Sequence, residues 1–153
     1  MATLTATRKP KRRRRRLRKP PVTWADKKMT TAMVDRLFWR AGFGPSVADR
    51  ATWTGKRVGA AVNWLLTTPP TLVGNPPANN GLPLSPSTSD NDLVLDWLDR
   101  MIRSDNPLPE RMTFFWHRHF AVSRNDVSSV MMLKHIGLLR SFADVANNPP
   151  TDF

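Results

Sequence analysis

Apolar residues in this chain return every three or four positions, segment after segment, and no stretch alternates strictly in twos. That spacing is the period of one helix face and excludes a half-buried sheet, so it constrains the fold more than any other feature. Val94, Trp97, Leu98, Met101 and Ile102 give the clearest case, an i, i+3, i+4, i+7, i+8 run. On the same segment Asp96 and Arg100, and Asp99 and Arg103, stand as i, i+4 acid–base pairs in the favourable order. Each such pair adds roughly 0.2–0.5 kcal/mol to a helix.

Prolines and glycines divide the chain into six helical segments. The first is expected over about 25–41, with Met33, Val34, Leu37, Phe38 and Ala41 as its stripe, Gly42 in a left-handed C′ position and Pro45 beyond. Ser46 offers an N-cap for a short helix through Trp53, ended by Gly55. A third helix spans about 56–67 and stops at Pro69 and Pro70. Residues 68–89 hold six Pro and two Gly among Asn, Ser and Thr, and read as a long loop. Helix four starts after Ser89 or Asp90 as N-cap and runs to about Arg103. Helix five follows Pro107 and Pro109 with Met112, Phe115, Trp116, His119 and Phe120 as its stripe, and helix six covers about 128–145 with Met132, Leu133, Ile136, Leu139 and Phe142. The expected fold class is all-α, an orthogonal bundle of about five to six amphipathic helices that bury one another's stripes.

Charge separates a further part. Ten of the 24 basic residues lie between positions 8 and 19: Arg8, Lys9, Lys11, Arg12, Arg13, Arg14, Arg15, Arg16, Arg18 and Lys19. The other 14 face 12 acidic residues, so residues 24–153 form a nearly neutral domain and the net charge of +12 belongs to an arm. Like-charge repulsion, with Pro10, Pro20 and Pro21, predicts that residues 1–23 are disordered. Such an arm suits nucleic acid, whose binding weakens with salt at a slope of about −0.9 per phosphate contact. It equally suits an anionic membrane surface, at about 1 kcal/mol per basic residue close to it. The bland alternative is a solvated tail with incidental polyanion binding. No apolar run of roughly 18 residues exists for a membrane span. The arm is followed by a charged, Pro-broken stretch in place of the apolar segment of an export signal, so the default expectation is a cytoplasmic location.

Chemistry-bearing motifs are few. The chain has no Cys, which removes disulfides, thiol nucleophiles and zinc–thiolate sites and leaves the compartment open. Gly42-Phe-Gly44 follows a helix and has Val47 where a dinucleotide loop needs its third glycine. Gly55-Lys56 is followed by Arg57, with Arg50 in place of the first glycine of a phosphate loop. Asp92, Asp96 and Asp99 share a helix face, and their Arg partners point to a solvated salt-bridge surface. Of the Trp residues, Trp97 and Trp116 fall on apolar stripes, and Trp24 and Trp53 are less constrained. In His117-x-His119 the two residues are about 200° apart on a helix and point nearly opposite ways. The stripe puts His119 in the core and His117 on the surface beside Glu110, seven residues earlier on the same face. Glu110, His117 and His119 are the catalytic candidates, and His135 reads as a surface residue. No spacing supplies the three or four ligands of a metal site, and no cofactor class is indicated.

Two stretches together resemble the bacterial domain-of-unknown-function 1800 family. One is Leu37-Phe-Trp-Arg-Ala-Gly-Phe-Gly-Pro45; the other is Leu108-Pro-Glu-Arg-Met-Thr-Phe-Phe-Trp-His-Arg-His-Phe-Ala121, and Met131-Met-Leu-Lys-His-Ile-Gly-Leu-Leu-Arg140 continues the likeness. The similarity covers about Ala32 to Arg140. It implies a largely helical protein with no established activity, in a family whose members run to several hundred residues and carry an acidic helix farther downstream. After Arg140 the sequence departs toward Asn147-Asn-Pro-Pro-Thr-Asp-Phe153, where the family pattern would continue in helix. The resemblance therefore implies an N-terminal part of a longer domain, with the remainder of that domain as the missing partner and no complete active site. The alternative it leaves is a hydrolase-like or metal-dependent enzyme completed by downstream residues.

Overall fold

A computed structural model describes residues 23–123 and 125–144. The basic arm at positions 8–19 and the segment from Val145 onward lie outside them. Among the described residues six helices carry the fold: α1 Thr31–Ala41, α2 Val47–Trp53, α3 Val58–Thr67, α4 Asp90–Arg103, α5 Leu108–His119 and α6 Ser129–Ala143. The all-α class predicted from periodicity holds. A single 3-10 turn, Trp24–Asp26, precedes them, and one two-stranded hairpin interrupts them, β1 Ala78–Asn79 with β2 Leu82–Pro83.

The helix starts follow local hydrogen-bonding chemistry. Thr30, Ser46, Ser89 and Ser128 each accept a backbone N–H from the first turn of α1, α2, α4 and α6. At α2 the cap is reciprocal, because the Asp49 carboxylate takes the Ser46 N–H at 2.8 Å. The first helix begins six residues later than expected, since residues 24–26 form the 3-10 turn and Lys27 and Thr30 after it are extended. Met29 donates to the Lys56 carbonyl, Gly55 to the Met29 carbonyl and Val58 to the Lys27 carbonyl, all within 2.9 Å. Gly55, at φ +83°, makes the left-handed turn out of α2 that its sequence position suggested.

Gly42 differs from the expectation. Its φ is −155°, so it is no left-handed cap. What requires glycine there is proximity: a Cβ would fall 2.5 Å from Cγ of Pro107, the residue that leads into α5.

The Pro-rich segment 68–89 is pinned at several points. Thr71 donates to the Asp105 carboxylate through both its N–H and its hydroxyl, at 2.7 Å each, and Val73 donates to the Arg103 carbonyl at 2.9 Å. The hairpin turns on Asn80-Gly81, both at positive φ (52° and 79°). That Asn-Gly pair is the strongest short-range hairpin signal a sequence carries, and the expectation of a plain loop passed over it.

Two hydrophobic clusters hold the helices. Met29, Val34, Phe38, Trp53 and Ala61 form the first, with Leu37, Val58 and Trp64 against them. Leu93, Met132 and Ile136 form the second, with Trp97, Val122, Val127 and Leu133. An aromatic row runs from the turn after α1 to the second cluster: Phe43 meets Phe114 edge-on at 6.5 Å, and Phe114 meets Trp97 at 6.1 Å. Asn106, with no exposed surface, donates its amide to the Leu65 and Thr68 carbonyls at 2.9 and 2.7 Å and so ties the end of α3 to the approach to α5.

Candidate functional site

Helix α5 turns a polar face inward. Glu110 and Thr113 are buried and His117 is half-buried, while Phe115, His119 and Phe120 are exposed. This reverses the sequence expectation for the two histidines: His117 faces the fold and His119 faces out. Their opposed directions are as the helix geometry required. Thr113 can lie inside because its hydroxyl donates to the Pro109 carbonyl at 2.7 Å, within its own helix. Glu110 can because other helices bring it donors.

Those donors come from α6 and α4. Arg140 gives Nε to Glu110 Oε1 at 2.5 Å and Nη2 to Oε2 at 3.3 Å, and Trp97 gives Nε1 to Oε2 at 3.1 Å. The Glu110 and Arg140 side chains retain 5% and 22% of their exposure, so this is a largely buried ion pair with an indole completing it. A carboxylate held by three donors across three helices is positioned to fasten them, and both its oxygens are already engaged. Sequence reasoning singled out Glu110 and missed Arg140 and Trp97, which lie 30 and 13 residues away.

About two turns farther along α5 than Glu110, His117 meets the edge of Trp97 at 5.0 Å and the ring of His135 at 5.8 Å. The Nε2 atoms of both histidines are shielded from solvent, and neither has a hydrogen-bond partner. His135 is therefore not the surface residue expected from the sequence. Burial, and then the neighbouring His135, hold the His117 imidazolium below its ordinary range, so the neutral ring is favoured. His119 lies on the outside, its Nδ1 3.1 Å from the Phe115 carbonyl oxygen, in an exposed group of rings with Phe115, Trp116 and Phe120. The three candidates thus separate into an ion-paired Glu110, an inward His117 and an outward His119.

The aspartates of α4 divide as well. Asp96 pairs with Arg100 at 3.0 Å and Asp99 with Arg103 at 2.5 Å, as the i, i+4 spacing predicted. Asp92 is buried and departs from the expected solvated surface: it accepts from Asn79 Nδ2 and from the Ser85 N–H, both at 2.9 Å. The Ser85 N–H and then the Asn79 amide hold its carboxyl below the usual carboxylate value. Its work is to hold the hairpin onto α4.

The two stretches that carry the family likeness prove to be in contact through Phe43 and Phe114, and Gly42 lies against Pro107, the residue just before the second stretch. The family described as "Protein of unknown function (DUF1800)" matches residues 36–143. The chain belongs to that family. No curated protein and no solved structure matches it. Within the DUF1800 segment lie Glu110, His117, His119, His135 and Arg140, so the whole α4–α6 site falls inside the matched region. Among the described residues no three His, Cys, Asp or Glu side chains cluster as a metal would need, and no helix is long and apolar enough to cross a membrane.

Proposed function

We propose that this chain is a non-catalytic helical portion of a longer family protein, and that further helices of the same domain cover its α4–α6 side. The observation that carries this reading is a second apolar stripe on two of those helices. On α6, Met132, Ile136, Leu139 and Ala143 are buried, yet Met131, Leu138 and Phe142, also at helical spacing, stand open, Phe142 at 65%. On α4, Leu93 is buried while Val94, Leu98 and Ile102 stand open, Ile102 at 81%. A helix that is apolar on more than one face belongs inside a larger core. The engaged Glu110 supports the non-catalytic part, because its oxygens serve Arg140 and Trp97. An enzyme assembled with downstream acids is the other reading of the same incompleteness.

The test is the behaviour of the chain alone and of a family protein that continues past α6. The chain alone is expected to bind a dye for exposed apolar surface and to self-associate with concentration; Ile102→Ser with Phe142→Ser is expected to reduce both without loss of helicity. The longer protein is expected to lack the dye response. A monomeric chain that ignores the dye defeats the proposal, and a well-defined two-fold dimer assigns the face to a second copy.

Charge segregation in the sequence favours a second, independent role for residues 8–19 as a polyanion-binding arm. If about five of its cations reach duplex phosphates, log K falls with log salt at a slope near −4.5. Comparing the whole chain with residues 24–153 on DNA and on anionic vesicles tests this, and equal affinities eliminate the arm.

A further inference from the structure

Between α5 and α6, two imidazoles lie beside one another against hydrocarbon. His117 and His135 have ring centroids 5.8 Å apart and planes inclined at 57°. A cavity of about 160 Å³ opens beside His117, walled by Leu93, Trp97, Val122, Met132 and Ile136. Both Nε2 atoms are buried and unpartnered. One such nitrogen is a rarity in a folded protein, and two on adjacent rings require a common explanation.

Neither of two simple explanations serves. The rings do not satisfy each other, since neither nitrogen has a hydrogen-bond partner. A trapped water prefers about three polar partners, and this cavity's lining gives it little beyond His117, with His135 beside that ring and outside the lining. A metal ion fits the separation. With a metal–nitrogen bond of about 2.0–2.1 Å, two imidazoles sharing one ion have centroids about 5 Å apart at a tetrahedral angle and about 6.4 Å apart at a linear one. The observed spacing lies between the two.

The surrounding donors select the ion. Among the described residues no third His and no Cys, Asp or Glu joins the pair in a metal-holding group, so the four-ligand tetrahedron of structural zinc is not offered. What the cavity does offer is a thioether. Met132 lines it with His117 and lies three residues before His135 on α6. Two imidazole nitrogens and a soft sulfur, with no anionic donor beside them, match a singly charged ion content with two or three ligands. We propose that His117, His135 and the Met132 thioether form a binding site for monovalent copper.

The experiment is a titration of the purified chain with Cu(I) under reductant, in competition with a chromogenic Cu(I) chelator, and with Zn(II) in parallel. One equivalent of Cu(I) is expected to be retained, with an X-ray absorption signature of two nitrogen scatterers and one sulfur. His117→Ala and His135→Gln are each expected to weaken it at least as much as the roughly 100-fold that losing a supporting partner costs a metal site. Met132→Leu is expected to remove the sulfur scatterer, and His119→Ala, on the outward face, to change nothing. No retained Cu(I), a preference for Zn(II), or binding that survives His135→Gln overturns the site; a first shell without sulfur overturns the role of Met132. These readings are independent of whether further helices cover α4 and α6. Circular dichroism of each variant identifies any loss due to unfolding, and the absorption spectrum of the unsubstituted chain decides the ligand set in that event.

Discussion

At the scale of single residues, the polar groups inside this protein are its most consequential ones. Glu110 is buried with Arg140 and Trp97 as its donors. Whether the pair adds stability over a hydrophobic replacement is a separate matter from the cost of breaking it, and removing one partner strands the other. Glu110→Ala is therefore expected to destabilise the fold by about 3 kcal/mol, measured by urea denaturation, since about 3–5 kcal/mol is usual for a buried pair and Arg140 keeps some solvent. A loss below about 1 kcal/mol, the range of exposed pairs, contradicts its structural role. Asn106→Ala makes a sharper case, because no charge is involved. The Leu65 carbonyl would lose its amide donor in a buried setting and the Thr68 carbonyl in a part-buried one, and a loss of about 2–3 kcal/mol is expected in the same assay. A Tm equal to that of the unsubstituted chain would show that water replaces the amide. None of this was legible in the sequence. The identity of Glu110 as a residue of interest could be read, but its donors sit on other helices, and a residue's own segment says nothing of what arrives from elsewhere.

At the scale of elements, starts were more legible than faces. Ser46, and Ser89 as one of two options, announced α2 and α4 because a cap is a local hydrogen bond, closed within three residues. Ser128 caps α6 in the same way, although the sequence reading placed it inside the helix. The inward side of α5 was misread, because periodicity assigns the apolar side to the core. Here Thr113 is self-satisfied and Glu110 is paired, so the polar side goes in, while Phe115 and Phe120 remain outside. The hairpin was missed for a different reason: its strands are two residues each, too short for any alternation to show. Its attachment through Asp92 makes a pH prediction. The Asp92 carboxyl is lowered from an ordinary 3.8, so the folded state binds fewer protons than the unfolded one below that value. Stability from this group is complete above 3.8 and is lost as pH falls toward the lowered value. Asp92→Asn is expected to melt lower at neutral pH and to lose less on acidification from pH 5 to pH 3 than the unsubstituted chain, followed by thermal melts in each buffer. Parallel acid profiles for the two chains contradict the anchoring of the hairpin by the Asp92 carboxylate.

At the scale of the whole molecule, two clusters must behave as one domain although few side chains join them. The joint is where the two family stretches touch, Phe43 on Phe114, flanked by Gly42 on Pro107 and Phe114 on Trp97. Asn106, the residue before Pro107, reaches the last carbonyls of α3 from the same place. A helix-by-helix reading of the sequence gives six elements and no way to know that the Ala-Gly-Phe-Gly turn is the surface on which α5 is seated. The physical constraint is steric, since at 2.5 Å a Cβ on Gly42 overlaps the Pro107 ring, and the nearest relief is to part the two segments. Gly42→Ala should cost about 1–3 kcal/mol, the usual range for overpacking a tight contact. Its more telling effect is on cooperativity. Trp53 and Trp64 report on the first cluster and Trp97 on the second, so fluorine-labelled tryptophan resolves both during one denaturant titration. In the unsubstituted chain all three are expected to change at one midpoint. In Gly42→Ala the Trp97 signal is expected to separate from the other two, because the aromatic row no longer transmits the loss of one cluster to the other. Coincident midpoints with an unchanged slope would mean that the turn shifts without opening the joint, and that Asn106 alone suffices to couple the halves.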